Sequence, residues 1–380
     1  MKQQRKRPVQ RAGWLRRQLA KRPLPLWILI VTDLLLFVIA LLVFALFHHV
    51  LPSREQPIGL TSQRVSTAAG APVSAATAVA NESVPAASAT PETASAADAM
   101  AQAPVPTPEP TPEPVGYFGS KFADKFTAGE IVQQGNVYQS ANVNVVLDQM
   151  REYDSNIYVA DIYIRDIACL QSAFSKETYG RGYNEYPSVT AKRIGSIVAV
   201  NGDFYGGRRS GVVVRNGVLY RDDESTQSDL CVLYWDGTMD TYSPEGFDAE
   251  TEMARGAYQV WNFGPMLLDA NGQPMTTFNS RVKPENPRTA IGYYEPGHYC
   301  FVVVDGRSGS SQGLKMVELS QLMYDLGCVR AYNLDGGQSS QMVCGSVVVN
   351  NPYDGGRATS DVVAILDGAI EQEVKTGDAA

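Results

Sequence analysis

The sequence predicts an α+β fold: a strand-rich mixed sheet containing a parallel strand–helix–strand unit, preceded by a single transmembrane helix and a disordered spacer. Three observations predict it. Apolar, β-prone runs end in an acidic-glycine or Asn-Gly turn at Ile197 to Asp203, at Phe301 to Arg307 and at Val329 to Gly337. A helical pattern from Leu314 to Leu326 separates the last two runs. Far upstream, the 22 residues from Leu26 to Phe47 are apolar apart from Thr32 and Asp33, and a Pro-rich tract follows. Strand–helix–strand connections are parallel and right-handed in nearly every sheet, so Asp305 and Asp335 are expected at one edge. The carboxyl edge of such a sheet is where ligands bind.

In chain order, residues 1–25 read as a basic cytoplasmic tail. Nine of the chain's 32 Lys and Arg lie in the first 22 residues, with no acid among them, against a formal net charge of −8 overall. The remainder is therefore strongly acidic and offers no basic face for nucleic acid. Residues 26–50 read as an uncleaved anchor, because about 20 apolar residues span a bilayer and no small-residue cleavage site follows Leu46. The basic flank predicts a cytoplasmic N-terminus and an extracellular remainder, so the membrane is an expected partner. Residues 51–116 are rich in Ala, Thr, Ser and Pro, too poor in large apolar side chains to offset their ordering entropy. Their Pro-rich end suits a stiff spacer.

Residues 117–368 form the predicted catalytic domain, long enough for a sizeable core, with 369–380 as a flexible tail. Strands are expected at 156–164, 196–200, 211–214, 230–235, 289–293, 301–304, 329–334 and 361–366. Asn216-Gly217 and Asp236-Gly237 read as hairpin turns. The helix Leu314 to Leu326 places Val317, Leu319, Leu322, Met323 and Leu326 on one face, with Ser311 as its cap and Gly327 as its stop. All five cysteines lie in the domain and none forms a CxxC pair. Outside the membrane one or two disulfides could form among the five, while Cys300 and Cys328 stand in apolar contexts that also suit free core thiols.

The inventory narrows the chemistry. The domain holds a single histidine, His298, in a Pro-Gly-His-Tyr turn. That argues against a Ser-His or Cys-His hydrolase, and no HExxH, P-loop or dinucleotide fingerprint is present. Carboxylates with guanidinium support remain. Two carboxyls in different surroundings can divide acid and base roles, and arginine grips a phosphate with paired hydrogen bonds. No cofactor is expected. Ca²⁺ is the one alternative, since several loops carry Asp and Asn, although no EF-hand spacing occurs.

Five motifs resemble those of the phosphodiester glycosidase family: Val200-Asn201-Gly202-Asp203-Phe204-Tyr205, Pro287-Arg288-Thr289-Ala290-Ile291-Gly292, Val304-Asp305-Gly306-Arg307, Asn333-Leu334-Asp335-Gly336-Gly337-Gln338-Ser339-Ser340, and Asn350 through Arg357. Gln338 stands where the family's LDGGGS-like motif carries glycine. The resemblance implies hydrolysis of a sugar joined through its anomeric carbon to a phosphodiester in a surface glycopolymer or exopolysaccharide. It implies Asp203, Asp305 and Asp335 as catalytic carboxylates. Asn201, Arg288, Arg307, Gly336, Gly337, Ser339, Asn351 and Arg357 would bind the substrate. A phosphodiesterase cutting the phosphate side, or a non-catalytic glycopolymer-binding module, would use the same groups.

Overall fold

A computed structural model of the chain describes Leu35, Val38, residues 113–278 and residues 280–376. The basic tail and most of the expected spacer lie outside the described residues. Within the expected membrane segment only Leu35 and Val38 are described, both helical. Among the described residues no helix is long and apolar enough to cross a membrane. The expectation of a transmembrane helix ahead of the domain is therefore corrected: the structure gives it no support.

Among the described residues the domain is strand-rich, with three large sheets and a two-stranded parallel ladder between Thr178–Tyr179 and Lys375–Thr376. The largest has seven strands in the order Val132–Gln134, Val137–Gln139, Val143–Glu152, Ser155–Ile164, His298–Val304, Arg288–Glu295, Arg330–Asn333. Every neighbouring pair in it is antiparallel. This corrects the predicted mixed sheet. The strands His298–Val304 and Arg330–Asn333 do run in the same direction around the helix Met316–Asp325, but Arg288–Glu295 is inserted between them and pairs with both. The long connection leaves room for a third strand, and tight antiparallel hydrogen bonding to Arg288–Glu295 replaces the direct parallel pairing. The ends of the two parallel-running strands still emerge on one edge, where Arg288–Glu295 begins.

Period-two alternation explains how this sheet is covered. Along His298–Val304, Tyr299, Phe301 and Val303 face the core shared with the other two sheets, where Trp261, Val198 and Val363 meet them. Cys300, Val302 and Val304 face the opposite way, onto Leu319, Leu322 and Met323 of the helix. Burying each of these larger apolar side chains stabilises the fold by about 1.5–3 kcal/mol. Glu318 caps the start of the helix, its carboxylate accepting from the Lys315 amide at 2.8 Å and from Lys315 Nζ at 3.0 Å, and Gly327 ends it with φ of 86°. Ser311, expected as the cap, instead donates its hydroxyl to the Asp305 carbonyl at 2.7 Å.

A second sheet orders Met239–Tyr242, Leu230–Tyr234, Ala257–Trp261, Gly211–Arg215 and Val218–Asp223. Its hairpin between Arg215 and Val218 turns through Asn216 and Gly217, both at positive φ. The third orders Val347–Val348, Met342–Cys344, Val198–Asn201, Asp361–Ile365 and Leu170–Phe174. The strands Val198–Asn201 and Asp361–Ile365 bring the first and last conspicuous motifs beside one another.

Candidate active site

Asp335 follows the strand Arg330–Asn333 and is almost wholly buried. Its Oδ2 accepts from the Ser339 hydroxyl at 2.5 Å and from Arg357 Nη2 at 2.6 Å. Arg357 Nε also donates to Ser339 Oγ at 2.5 Å, so serine and guanidinium grip the carboxylate together. Burial pushes the Asp335 carboxyl above its ordinary range, and Arg357 and Ser339 pull the other way. The guanidinium of Arg357 lies 5.0 Å from the ring centroid of Phe204, a non-glycine residue held at φ of 65°. Such left-handed strain in a bulky side chain gathers at functional sites.

Asp305 follows the strand His298–Val304, and its partners among the described residues are neutral. Its Oδ1 accepts from Asn350 Nδ2 at 2.9 Å and from the Asn351 amide at 3.0 Å. The Tyr158 hydroxyl also bonds it. Burial raises this carboxyl too, and only these neutral donors oppose the shift. The Asn351 side chain is exposed, so that residue meets Asp305 through its backbone.

Asn201 is fully buried and acts as a strap: its Nδ2 donates to the Asp335 carbonyl at 2.7 Å, and its Oδ1 accepts from Thr289 Oγ1 at 2.8 Å. Asp203 is also buried. Its Oδ1 accepts from Arg215 Nη2 at 2.7 Å and its Oδ2 from the Asn262 amide at 2.8 Å. Arg215 reaches across to Asp361 Oδ2 at 2.9 Å, so one enclosed guanidinium serves two enclosed acids. Burial lifts the Asp361 carboxyl to about 7, and Asp203 and Asp335 add to the shift while Arg215 opposes it. Asp361 Oδ1 has no hydrogen-bond partner among the described residues. It packs on Gly202, where a Cβ would come within 2.1 Å of it.

Arg307 is exposed, with φ of 57°, and stacks 5.1 Å from the ring centroid of Tyr353. Its guanidinium is held by Asn286 Oδ1, at 2.7 Å from Nη2, and lies beside Gly337, where a Cβ would sit 3.3 Å from Nη2. Gly337 adopts φ of 66°, so glycine there serves both the turn and the arginine. Gly336 lies against the Pro287 carbonyl, which would stand 2.8 Å from a Cβ.

Arg288 is placed differently from the expected phosphate contact. It is buried, and its donors go to backbone carbonyls: Leu314 at 2.9 Å, Val282 at 3.1 Å and Pro284 at 2.6 Å. Burial, with Arg307 nearby, lowers its guanidinium to about 10. Arg288 thus staples the loop that carries Asn286, and adds positive potential behind Arg307. Replacing Arg288 by Lys should strip two or more of these carbonyls of their donors, each worth about 1–3 kcal/mol. The expected result is a clear drop in melting temperature by scanning calorimetry, with a smaller change in KM than removal of Arg307 causes.

The structure therefore gathers Asp335, Ser339, Arg357 and Asn201 around one strand end. Asp305, Asn351, Arg307 and Gly337 lie along the same edge, with Asn350 bridging Asp305 to the Ser340 carbonyl. Sequence reasoning missed Arg215, Asp361, Asn350 and Tyr158. Asp361 carried a signal, as an acid opening an otherwise apolar strand; Arg215 was hidden in a hairpin turn. Two cavities of about 580 and 620 Å³ open elsewhere, beside Lys283 and Lys315 and beside Tyr324 and Cys328, and neither is lined by the acids described above. Among the described residues no group of three or more His, Cys, Asp or Glu side chains is placed to hold a metal ion.

Buried carboxyls in contrasting surroundings, with guanidinium groups at hand, are the equipment of a glycosidase-type hydrolase. Residues 195–366 match the model of the phosphodiester glycosidase family. The SPbeta prophage-derived uncharacterized protein YomE of Bacillus subtilis is 35% identical over 197 residues, 49% of this chain and 30% of its own length. The N-acetylglucosamine-1-phosphodiester alpha-N-acetylglucosaminidase of Bos taurus is 27% identical over 181 residues, 43% of this chain and 34% of its own. The chain thus matches about a third of the length of these curated relatives. A solved zebrafish catalytic domain of the latter enzyme, auto-inhibited by its pro-peptide, shares 19% identity at a TM-score of 0.47, covering 63% of this chain and 86% of that one.

Proposed function

We propose that the domain hydrolyses the bond between the anomeric carbon of a sugar and a phosphodiester, releasing the sugar and leaving a phosphomonoester. The substrate class is a sugar-1-phosphodiester within a glycopolymer or exopolysaccharide. One observation carries the reading: Asp335 is ion-paired with Arg357 while Asp305, on the same strand edge, has neutral donors only. The cation favours the carboxylate form of Asp335, suiting it to attack or stabilise the developing oxocarbenium charge. Asp305 is the carboxyl better able to hold a proton, and Asp203 keeps the floor of the site in place through Arg215.

Arg307, exposed and backed by the positive charge of Arg288, is the group that meets the phosphate. A departing phosphodiester needs little protonation, so guanidinium charge aimed at it does most of the work of stabilising it. Arg307→Ala should raise KM for a sugar-1-phosphodiester by about tenfold, through the lost phosphate contact, and lower kcat by about 10²-fold, because the same guanidinium stabilises the charge that grows on the departing phosphate. Initial rates over a range of substrate concentrations measure it.

Hydrolysis in ¹⁸O-water tests the bond that breaks. The expected product is labelled sugar with unlabelled phosphate. Label in the phosphate would replace this reading with a phosphodiesterase, and binding without turnover would leave a glycopolymer-binding module.

A further inference from the structure

Away from the acids, the helix Met316–Asp325 covers a second cluster of reactive groups. Cys300 lies mid-strand in His298–Val304 and is fully buried; Cys328 lies just beyond the helix and is 4% exposed. Their sulfurs are 3.7 Å apart. Both sit over Gly292, the register partner of Cys300 on Arg288–Glu295. A Cβ at Gly292 would come within 2.6 Å of each sulfur, so the missing side chain is what lets the two thiols meet. The Tyr294 hydroxyl hydrogen-bonds with both. The two thiols differ in access. Cys328, with Tyr324, Val329 and Arg330, lines the cavity of about 620 Å³, whereas Cys300 is sealed behind it.

We propose that Cys300 and Cys328 form a redox site, a dithiol that a small-molecule disulfide such as oxidised glutathione converts into an intramolecular disulfide, with Cys328 reacting first. The Cys328 thiolate attacks one sulfur of the reagent and expels a thiolate, leaving a mixed disulfide. The Cys300 thiolate then attacks Cys328 Sγ and expels the second reagent sulfur. One sulfur–sulfur bond is lost from the reagent and one is made in the protein. The reagent takes two electrons and leaves as two thiols carrying the two protons that the cysteines give up. Closure requires the sulfurs to move from 3.7 Å to about 2.05 Å, over a glycine that leaves space for the shift. The hydrogen bond with Cys300, together with burial, raises the Cys328 thiol well above its ordinary range, so the first attack should quicken as pH rises.

The new loop would run from Cys300 to Cys328 and enclose Asp305, Arg307 and the helix Met316–Asp325. Cross-linking a loop of this size restricts the unfolded chain enough to raise the melting temperature by about 5 °C or more. The test treats the folded full-length protein with oxidised glutathione, quenches in denaturing alkylating agent, and maps the peptides by mass spectrometry alongside a thermal melt. Expected are the loss of two of the five free thiols, one linked peptide pair containing Cys300 and Cys328, a higher melting temperature, and reversal of all three by dithiothreitol. In Cys300→Ser the first step should stop at a glutathione adduct on Cys328. The proposal is overturned if wild-type Cys328 retains the adduct, if it links to another cysteine, or if both thiols remain alkylatable after Cys344 has been oxidised. None of these readouts depends on the hydrolytic activity.

Discussion

Replacing Asp335 by Asn should lower kcat for sugar release from a sugar-1-phosphodiester by about 10²–10⁴-fold, the range that a positioned acid–base or nucleophilic carboxyl supplies. The melting temperature should stay within a few degrees of wild type. An amide oxygen still accepts from the Ser339 hydroxyl and from Arg357, both of which now bond Asp335 Oδ2, so the surroundings need not move. What is lost is the negative charge that the proposed reaction requires of Asp335. A rate within tenfold of wild type, measured with the protein shown to be folded, would remove Asp335 from the chemistry. Asp305→Asn provides the internal comparison. If Asp305 carries a proton, its replacement should chiefly alter the pH profile, because its donors are Asn350, Asn351 and Tyr158 and none of them is a cation.

The second large effect concerns stability. Arg215→Met should cost about 3–5 kcal/mol, since it leaves Asp203 and Asp361 enclosed without the cation they share. For a domain of this size that corresponds to a fall of roughly 10 °C in melting temperature. Acid should partly rescue the variant. The sign follows from Asp361, whose folded-state carboxyl is raised from 3.8 to about 7. The folded state therefore binds the proton more tightly than the unfolded chain. That contribution to stability is complete below about 4 and is lost as pH rises through about 7. In the wild type, a melt at pH 5 should gain stability relative to pH 8 from this group. Asp361→Asn should remove that part of the pH dependence. An unchanged pH dependence in Asp361→Asn would show that the carboxyl does not titrate in this window.

Much of the site could be read from residue order because its chemistry is displayed on short motifs. Asp305-Gly306-Arg307 and Asp335-Gly336-Gly337 each follow an apolar run, and a strand end is where such a run stops being useful for burial. Asp305 and Asp335 each follow a strand that ends on the same side of the sheet. The strands run in the same direction, but Arg288–Glu295 lies between them, and no local pattern announces an inserted partner. Arg288 shows the same limit at the level of a side chain. Its motif marks it as important, yet whether a guanidinium serves a phosphate or three backbone carbonyls depends on which loops fold over it.

The Asp203–Arg215–Asp361 network lay beyond sequence reading for a related reason. Arg215 and Asp361 are 146 residues apart, and they meet only because the second and third sheets pack on a common core. Residue types and their spacing were enough to determine a strand-rich domain, a histidine-poor site built on carboxyl and guanidinium groups, and the turns that end its strands. These follow from backbone preference and side-chain chemistry acting over a few residues. Tertiary structure decided which acid has a cation, which arginine remains open to solvent and which two thiols touch. Those outcomes depend on burial and on contacts between distant segments, and both come into being only when the sheets close on one another.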